Sequence, residues 1–154
     1  MSAGGRGRDW LTAHLPHRGA MNLLDEVVAW DGERLHARAR NHGAADHPLR
    51  RGGCLPVACA IEYAAQAAAA HGALVDTASP VPGAGFLASV RGAEFHAARL
   101  DDVAGPLDVE VERTGEGAGS VAYAFRVRGE GRTLAEGRVT IVLDASVASA
   151  MPAA

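Results

Sequence analysis

The sequence has 154 residues and a mass of 15.8 kDa, the size of one domain with room for a substantial core. Hydrophobic residues make up 48% and charged residues 21%, a balance typical of a folded globular protein rather than a disordered chain. The net charge of -3 gives no electrostatic reason to bind nucleic acid. No run of the sequence approaches the roughly 20 apolar residues that cross a membrane, so we expect no membrane partner.

The beginning of the chain, MSAGGRGRDW, lacks the apolar segment of a signal peptide, and we therefore expect a cytoplasmic protein. Residues 1–8 are rich in glycine and arginine and are predicted to be disordered. One domain is predicted over residues 9–144, followed by a flexible, low-complexity tail over residues 145–154. A short helix capped by Asp9 is predicted to end before Pro16.

Alternating apolar residues predict the strands of an antiparallel sheet. Two strands, over residues 21–30 and 34–40, flank the hairpin signal Asp31-Gly32. The second half of the chain contains four further predicted strands, over residues 85–97, 107–112, 121–127 and 134–143. One long helix combined with such a meander predicts an α+β fold in which the sheet wraps around the helix.

That helix is predicted within residues 54–75, CLPVACAIEYAAQAAAAHGALV, with Pro56 at its start and Gly72 where it could end. Alanine is a strong helix former, and its small side chain lets other elements pack close to the helix. Pro56 suits a first helical position because no N–H is needed there. Glu62 and Gln66 are four residues apart and share one face. A carboxylate on a largely apolar helix needs a partner, solvent or a catalytic role, and composition alone leaves all three open.

The cysteines and histidines give no metal signal. Cys54 and Cys59 are five residues apart, which is not a metal-ligand spacing, and we expect both to be packed, reduced thiols. The following histidines also have no companion at ligand spacing: His14, His36, His42 and His96. We therefore expect no metal and no cofactor.

The motif Leu-Pro-x5-Glu-x3-Gln, at Leu55, Pro56, Glu62 and Gln66, resembles the central helix of the hotdog-fold 3-hydroxyacyl-ACP dehydratases, whose pattern is Met-Pro-Gly-x4-Glu-x2-Ala-Gln. Residues 15–25, LPHRGAMNLLD, are similar to that family's Leu-Pro-His-Arg-x-Pro-Phe-Leu-Leu-Val-Asp. The stretch over 85–91 resembles the strand that follows the helix. Three blocks in the family's order are more specific than any one alone. The divergent form is similar to dehydratases of aryl-polyene and type II polyketide pathways.

The resemblance implies a hotdog fold, a homodimer joined through strand edges or a higher oligomer of such dimers, and active sites at the dimer interface. It implies dehydration of 3-hydroxyacyl thioesters carried by an acyl carrier protein, with a histidine base and a helix glutamate acid from opposite subunits. Glu62 matches the acid. His47 lies 15 residues before Glu62, against 14 in the family, so its role as the base requires a one-residue insertion in the loop over 49–53.

The resemblance also implies that Pro56, Val57 and Gln66 contribute to substrate binding, with the Val57 N–H facing the thioester carbonyl. Two other readings of the chain stay open. One is an acyl-CoA thioesterase, in which a carboxylate activates water. The other is a non-catalytic acyl-binding or partner subunit, in which His47 is only a surface-loop histidine. The motif at the helix and the Leu-Pro-His-Arg block favour the dehydratase over the thioesterase.

Overall fold

The computed structural model describes residues 4–15, 19–75, 86–117 and 119–142. Within these ranges an antiparallel sheet wraps around a long helix, which confirms the predicted α+β hotdog architecture. No helix in the described ranges is long and apolar enough to span a membrane. The elements are α1 (Arg8–His14), β1 (Glu26–Trp30), β2 (Arg34–Ala39), α2 (Ala60–Val75), β3 (Phe86–Phe95), β4 (Leu107–Gly117), β5 (Ser120–Gly129) and β6 (Arg132–Val142).

The six strands pair antiparallel in the order β1-β2-β4-β5-β6-β3. The strand β3 directly follows the α2 region in sequence, yet it joins the sheet at the far edge, beside β6. Alternate residues along the central strands are buried and face α2, while those between them carry charge on the outer face. The buried set includes Leu35, Ala37, Val109, Val111, Tyr123, Phe125 and Val127.

The helix α2 is buried along most of its length because its alanines allow the sheet to approach closely. Ala60, Ala64 and Ala67 are fully inaccessible to solvent. The chain enters α2 through a 3₁₀ turn, Val57–Cys59, so the helix begins later than predicted and Pro56 precedes the turn. It also continues past Gly72 to Val75, since burial of the last turn outweighs the low helix propensity of one glycine.

The structure differs from the predicted disordered tail at Arg6 and Arg8. Arg6 pairs with Val27 through two backbone hydrogen bonds of 2.9 and 2.8 Å, and α1 begins at Arg8 with Gly7, rather than Asp9, at its cap. These contacts also cover part of the β1 edge. The predicted tail over residues 145–154 lies outside the described residues, and the domain boundaries stay a prediction.

The strand boundaries depart from the sequence pattern where turns intervene. A 3₁₀ turn, Gly19–Met21, delays β1 to Glu26. Between β5 and β6, Glu130 and Gly131 have φ values of 52° and 73°, the left-handed pair of a tight hairpin turn, which starts β6 at Arg132.

A buried polar network ties α2 to the sheet. His71 is fully buried; its Nε2 donates to the Asp31 carbonyl at 2.9 Å, because a carbonyl can only accept. With the neutral ring, Nδ1 then accepts the Tyr123 hydroxyl proton at 2.8 Å. Arg113 donates to the same hydroxyl oxygen through Nη2 at 2.8 Å. The helix, β4, β5 and the β1–β2 turn therefore share one chain of hydrogen bonds.

Replacing Tyr123 by phenylalanine removes the donor to His71 Nδ1 and the acceptor of Arg113 without changing the ring. We expect Tyr123→Phe to lower the free energy of unfolding by about 1–3 kcal/mol, because buried partners lose their hydrogen bonds. Urea denaturation followed by circular dichroism measures this. A midpoint equal to that of the unmodified protein would show that the network adds no stability.

Candidate functional site

Gln66 joins the two sequence blocks that carry the family resemblance. Its amide is fully buried, and its Oε1 accepts the Leu23 N–H at 2.8 Å. Its Nε2 donates to the Met21 carbonyl at 2.7 Å and to Glu62 Oε1 at 3.2 Å. One side chain therefore binds the segment that leads into β1 and also positions the candidate acid on α2.

Glu62 lies in the first turn of α2 and is half-buried. The amino-terminal end of a helix carries a partial positive charge that stabilises a carboxylate. The Gln66 amide fixes one carboxylate oxygen from the same helix, one turn further on. The predicted pairing of Glu62 with Gln66 on one helix face is thus present as a direct hydrogen bond.

His47 is held inside its own protomer. Only 5% of its surface is exposed, which excludes the surface-loop reading. Its Nδ1 accepts the Leu49 N–H at 3.1 Å, so the neutral ring carries its proton on Nε2, 2.9 Å from the Tyr63 hydroxyl oxygen. Tyr63 in turn donates to Asn41 Oδ1 at 2.8 Å.

The surroundings keep both aromatic partners neutral. Burial lowers the pKa of the His47 imidazole, and the nearby Arg50 guanidinium and His42 lower it further. Burial raises the pKa of the Tyr63 hydroxyl well above its ordinary value. A neutral imidazole is the form that a general base requires, but here both of its nitrogens are engaged.

The tyrosine that holds His47 follows Glu62 directly on α2. Successive residues on a helix are rotated by about 100°, so His47 contacts the face next to that of Glu62. The sequence predicted that His47 and Glu62 act together from opposite subunits, and that pairing stays a prediction. The sequence did not predict the roles of Tyr63 and Asn41, because these contacts are distant along the chain. Tyr63 lies 16 residues from its partner His47, and Asn41 lies 22 residues from its partner Tyr63.

The backbone N–H of Val57, which the sequence predicted to donate to the substrate carbonyl, already donates to a carbonyl within the chain. The Val57 N–H donates to the Ala98 carbonyl at 3.2 Å, because the stretch before α2 runs beside residues 98–100. Pro56 forms a bridge with Arg99 in the same pairing. The expectation that the Val57 N–H faces a thioester carbonyl stays a prediction, and a substrate would have to displace this existing hydrogen bond.

The loop before α2 is anchored by arginine and aspartate. Arg50 donates to the carbonyls of Ala44 and Gly53 at 2.8 and 2.7 Å. Asp101 accepts the Leu55 N–H at 2.8 Å and pairs with Arg99, and these donors hold the pKa of its carboxyl well below the usual range. The loop that carries His47 is thus fixed at both ends.

The cysteines agree with the predicted packed thiols: both are free, and burial raises the pKa of the Cys59 thiol. Glu94, His96 and Glu136 place possible ligand atoms within 4.8 Å of one another, a group that sequence spacing did not suggest. His96 Nε2 lies at hydrogen-bond distance, 2.9 Å, from Glu136 Oε2, and both Glu94 and His96 are exposed. This hydrogen bond accounts for the cluster, and we assign it no metal role.

A groove of about 680 Å³ lies on the outer face of the sheet, away from α2. Its walls are charged side chains of both signs, among them Arg34, Arg91, Glu110, Glu112, Arg126 and Arg138. Because Glu62 lies on α2, on the opposite face, the groove is no part of the candidate site.

Comparison with known proteins decides the family. The model of the ApeP-like family, described as ApeP dehydratase, matches residues 11–151. The chain belongs to the ApeP-like dehydratase family. The predicted resemblance to a divergent hotdog dehydratase branch is thereby confirmed. No curated protein matches the sequence significantly.

Solved structures agree with the fold of this ApeP-like chain. The dehydratase heterocomplex ApeI:P from Xenorhabdus doucetiae is 21% identical with a TM-score of 0.72, covering 87% of this chain and 90% of that one. A mutant thioesterase from Pseudomonas aeruginosa is 17% identical with a TM-score of 0.60, and the match covers 89% of this chain and 93% of that one. Zebra fish thioesterase superfamily member 2 is 13% identical, also with a TM-score of 0.60, and the match covers 89% of this chain and 95% of that one. At these identities the likeness shows the hotdog fold alone.

The Gln66 contacts generate a stability prediction. Gln66→Leu keeps a similar volume but leaves the Leu23 N–H and the Met21 carbonyl without their side-chain partner. We expect a loss of about 2–4 kcal/mol in the free energy of unfolding, since each buried group that loses its partner costs about 1–3 kcal/mol. Chemical denaturation measures it. Glu33→Gln, on the exposed β1–β2 turn, is a surface control and should unfold like the original protein.

Proposed function

We propose that this ApeP-like dehydratase converts 3-hydroxyacyl thioesters carried by an acyl carrier protein into trans-2-enoyl thioesters in the cytoplasm, in aryl-polyene or related biosynthesis. Glu62 is the acid that protonates the departing hydroxyl. The observation that carries the proposal is the hydrogen bond from Gln66 to Glu62, which fixes a half-buried carboxylate in the first turn of α2.

Dehydration removes the α-proton next to the thioester carbonyl and expels the 3-hydroxyl group as water. A base takes the proton, the developing enolate oxygen needs donors, and an acid gives a proton to the leaving oxygen. Glu62 can serve as that acid when protonated, with Gln66 holding its other oxygen in place. The amino-terminal turn before α2 offers the dipole that favours an enolate, although the Val57 N–H is engaged with Ala98.

The base is the open part of the proposal. His47 as the base stays a prediction, and it requires one of its two ring nitrogens to leave its present partner. We infer that His47 acts chiefly by positioning, through Tyr63, the helix that carries Glu62. His17, in the Leu-Pro-His-Arg block, lies outside the described residues and is the next histidine to test.

A second subunit is the natural source of the missing base. Hotdog sites are expected at dimer interfaces, and the structure with the highest TM-score among those cited above is a dehydratase heterocomplex, ApeI:P. We propose that this chain also works as a dimer with a hotdog subunit, in the simplest case a second copy. The carrier protein is the further partner that the proposed substrate implies.

Two other functions stay testable. In the first, Glu62 activates water to hydrolyse a thioester, as the likeness in fold to thioesterases suggests. In the second, the chain is a non-catalytic partner subunit, in which His47 only makes its contact with Tyr63. The first would release free thiol from the substrate, and the second would bind acyl-carrier protein without turnover. Incubation with a 3-hydroxyacyl carrier protein, analysed by intact-protein mass spectrometry, separates all three outcomes.

The acid role predicts the effect of one substitution. Glu62→Gln keeps the shape and can still contact Gln66, but it has no proton to donate to the leaving oxygen. We expect the rate of enoyl-thioester formation to fall by about 10²–10⁴-fold, the usual contribution of a positioned acid or base. Mass spectrometry of the product follows the reaction, and Glu33→Gln provides the matched surface control. Full activity of Glu62→Gln would place the acid elsewhere.

The role of His47 is decided by comparing two replacements. If His47 acts by positioning, His47→Gln should keep most of the rate, because an amide can still accept from Leu49 and donate to Tyr63, whereas His47→Ala should lose both contacts. Tyr63→Phe should then resemble His47→Ala in rate. If His47 is the base, His47→Gln and His47→Ala should both lose about 10²–10⁴-fold in kcat while Tyr63→Phe stays near the original.

A further inference from the structure

The groove on the outer face of the sheet, about 680 Å³ in volume, has the size of a site for a small molecule. Its lining comes from five neighbouring strands, and the strand register arranges the outer side chains in rows that cross the sheet. We call one of them the Arg138 row. It consists, in order across the sheet, of Arg34, Glu112, Ala124, Arg138 and Arg91. All five residues line the groove, so the row passes through it.

The charges of the Arg138 row are balanced at one end only. At the β2 end, Arg34 Nε donates to Glu112 Oε2 at 2.8 Å, and the two side chains neutralise each other. At the β3 end, Arg91 lies directly opposite Arg138. Like charges directly across a strand pair destabilise a sheet. Within the described ranges of the chain, neither of these two arginines has a hydrogen bond or an ion pair, so both are available to an anion.

Ala124 leaves space beside the two arginines. It lies directly opposite Arg138 on one side and Glu112 on the other, and both of these neighbours have long side chains. Ala124 itself contributes only a methyl group to the outer face. A ligand group can therefore lie over Ala124 and contact the side chain of Arg138 without displacing any protein side chain from that position.

The next row of the groove confines an anion to this place. Glu136, on the same face of β6, contacts His96 Nε2 at 2.9 Å and Arg126 Nη2 at 3.8 Å. Glu94 pairs with Glu136 across the strands, and its carboxylate lies within 4.8 Å of the ligand atoms of both Glu136 and His96. These carboxylates repel a second negative charge. An anion in the groove is therefore held at the row of the two arginines.

We propose that Arg91 and Arg138 form a binding site for a phosphate monoester, with the phosphate group over Ala124. An arginine presents its N–H donors in a planar fork that binds phosphate oxygens through two parallel hydrogen bonds. A phosphate monoester carries close to two negative charges and three acceptor oxygens at neutral pH, which matches two arginines better than a singly charged anion does.

The rest of the groove selects the organic part of the ester. Its walls toward β2 and β4 are charged, with Arg34, Glu110 and Glu112 among them, so they favour a polar, hydroxylated group over an acyl chain. Glu62 lies on the opposite face of the sheet, on α2. The site is therefore separate from the proposed dehydratase activity, and neither depends on the other.

Titration with glycerol 3-phosphate at constant ionic strength, followed by NMR of isotope-labelled protein, tests this site. We expect saturable shifts of the backbone amide signals of Ala124 and Arg138. Arg91→Gln and Arg138→Gln should each weaken binding by at least about 10-fold, because each removes charge-assisted hydrogen bonds to the phosphate. Ala124→Glu should abolish binding, because its carboxylate would occupy the position opposite Arg138.

A second measurement identifies the source of the phosphate monoester. Flotation with vesicles that contain phosphatidic acid presents the same group as a lipid headgroup. Binding of glycerol 3-phosphate that is lost in both arginine variants assigns a soluble ligand. Binding to the vesicles alone, with the same dependence on Arg91 and Arg138, assigns a lipid headgroup, and either result supports the site.

The matched control is Arg40→Gln, which makes the same charge change at a residue that pairs with Glu26 and does not line the groove. It should bind like the unmodified protein, and circular dichroism checks that all variants are folded. The proposal is overturned if neither probe binds, if sodium chloride produces the same shifts, or if either Arg91→Gln or Arg138→Gln binds as tightly as the unmodified protein. Arg138→Gln should keep its dehydratase activity, so loss of phosphate binding leaves the proposed function standing.

Discussion

The candidate site depends on a single buried amide. Gln66 contributes one acceptor and two donated hydrogen bonds in a place without access to water, and a buried amide is tolerated only when its groups are satisfied. Satisfying it requires the backbone around Met21 and Leu23 to lie against α2. The same nitrogen then fixes a Glu62 oxygen. The packing of this backbone segment against α2 and the position of the candidate acid therefore both depend on the Gln66 amide.

The sequence predicted the contact between Glu62 and Gln66 because the two residues are close along the chain. Glu62 and Gln66 are four residues apart on a helix, and any helix brings them together. The other contacts have no such local signal. The Val57 N–H meets the Ala98 carbonyl only because residues 98–100 return beside the turn before α2, and His71 meets Tyr123 across 52 residues. Strand alternation predicted the sheet, whereas the turns and the start of α2 depended on contacts that the pattern does not contain.

His47 illustrates how burial limits the reading of a motif. The sequence offered a histidine near the family's position, and its environment does favour the neutral ring that a base needs. The same burial, however, required partners for both nitrogens, and Leu49 and Tyr63 supply them. A histidine that must be uncharged and also directed at a substrate needs one nitrogen outside such a network. The contacts of His47 leave neither ring nitrogen free within one protomer, and this is why we propose that a second subunit supplies the base.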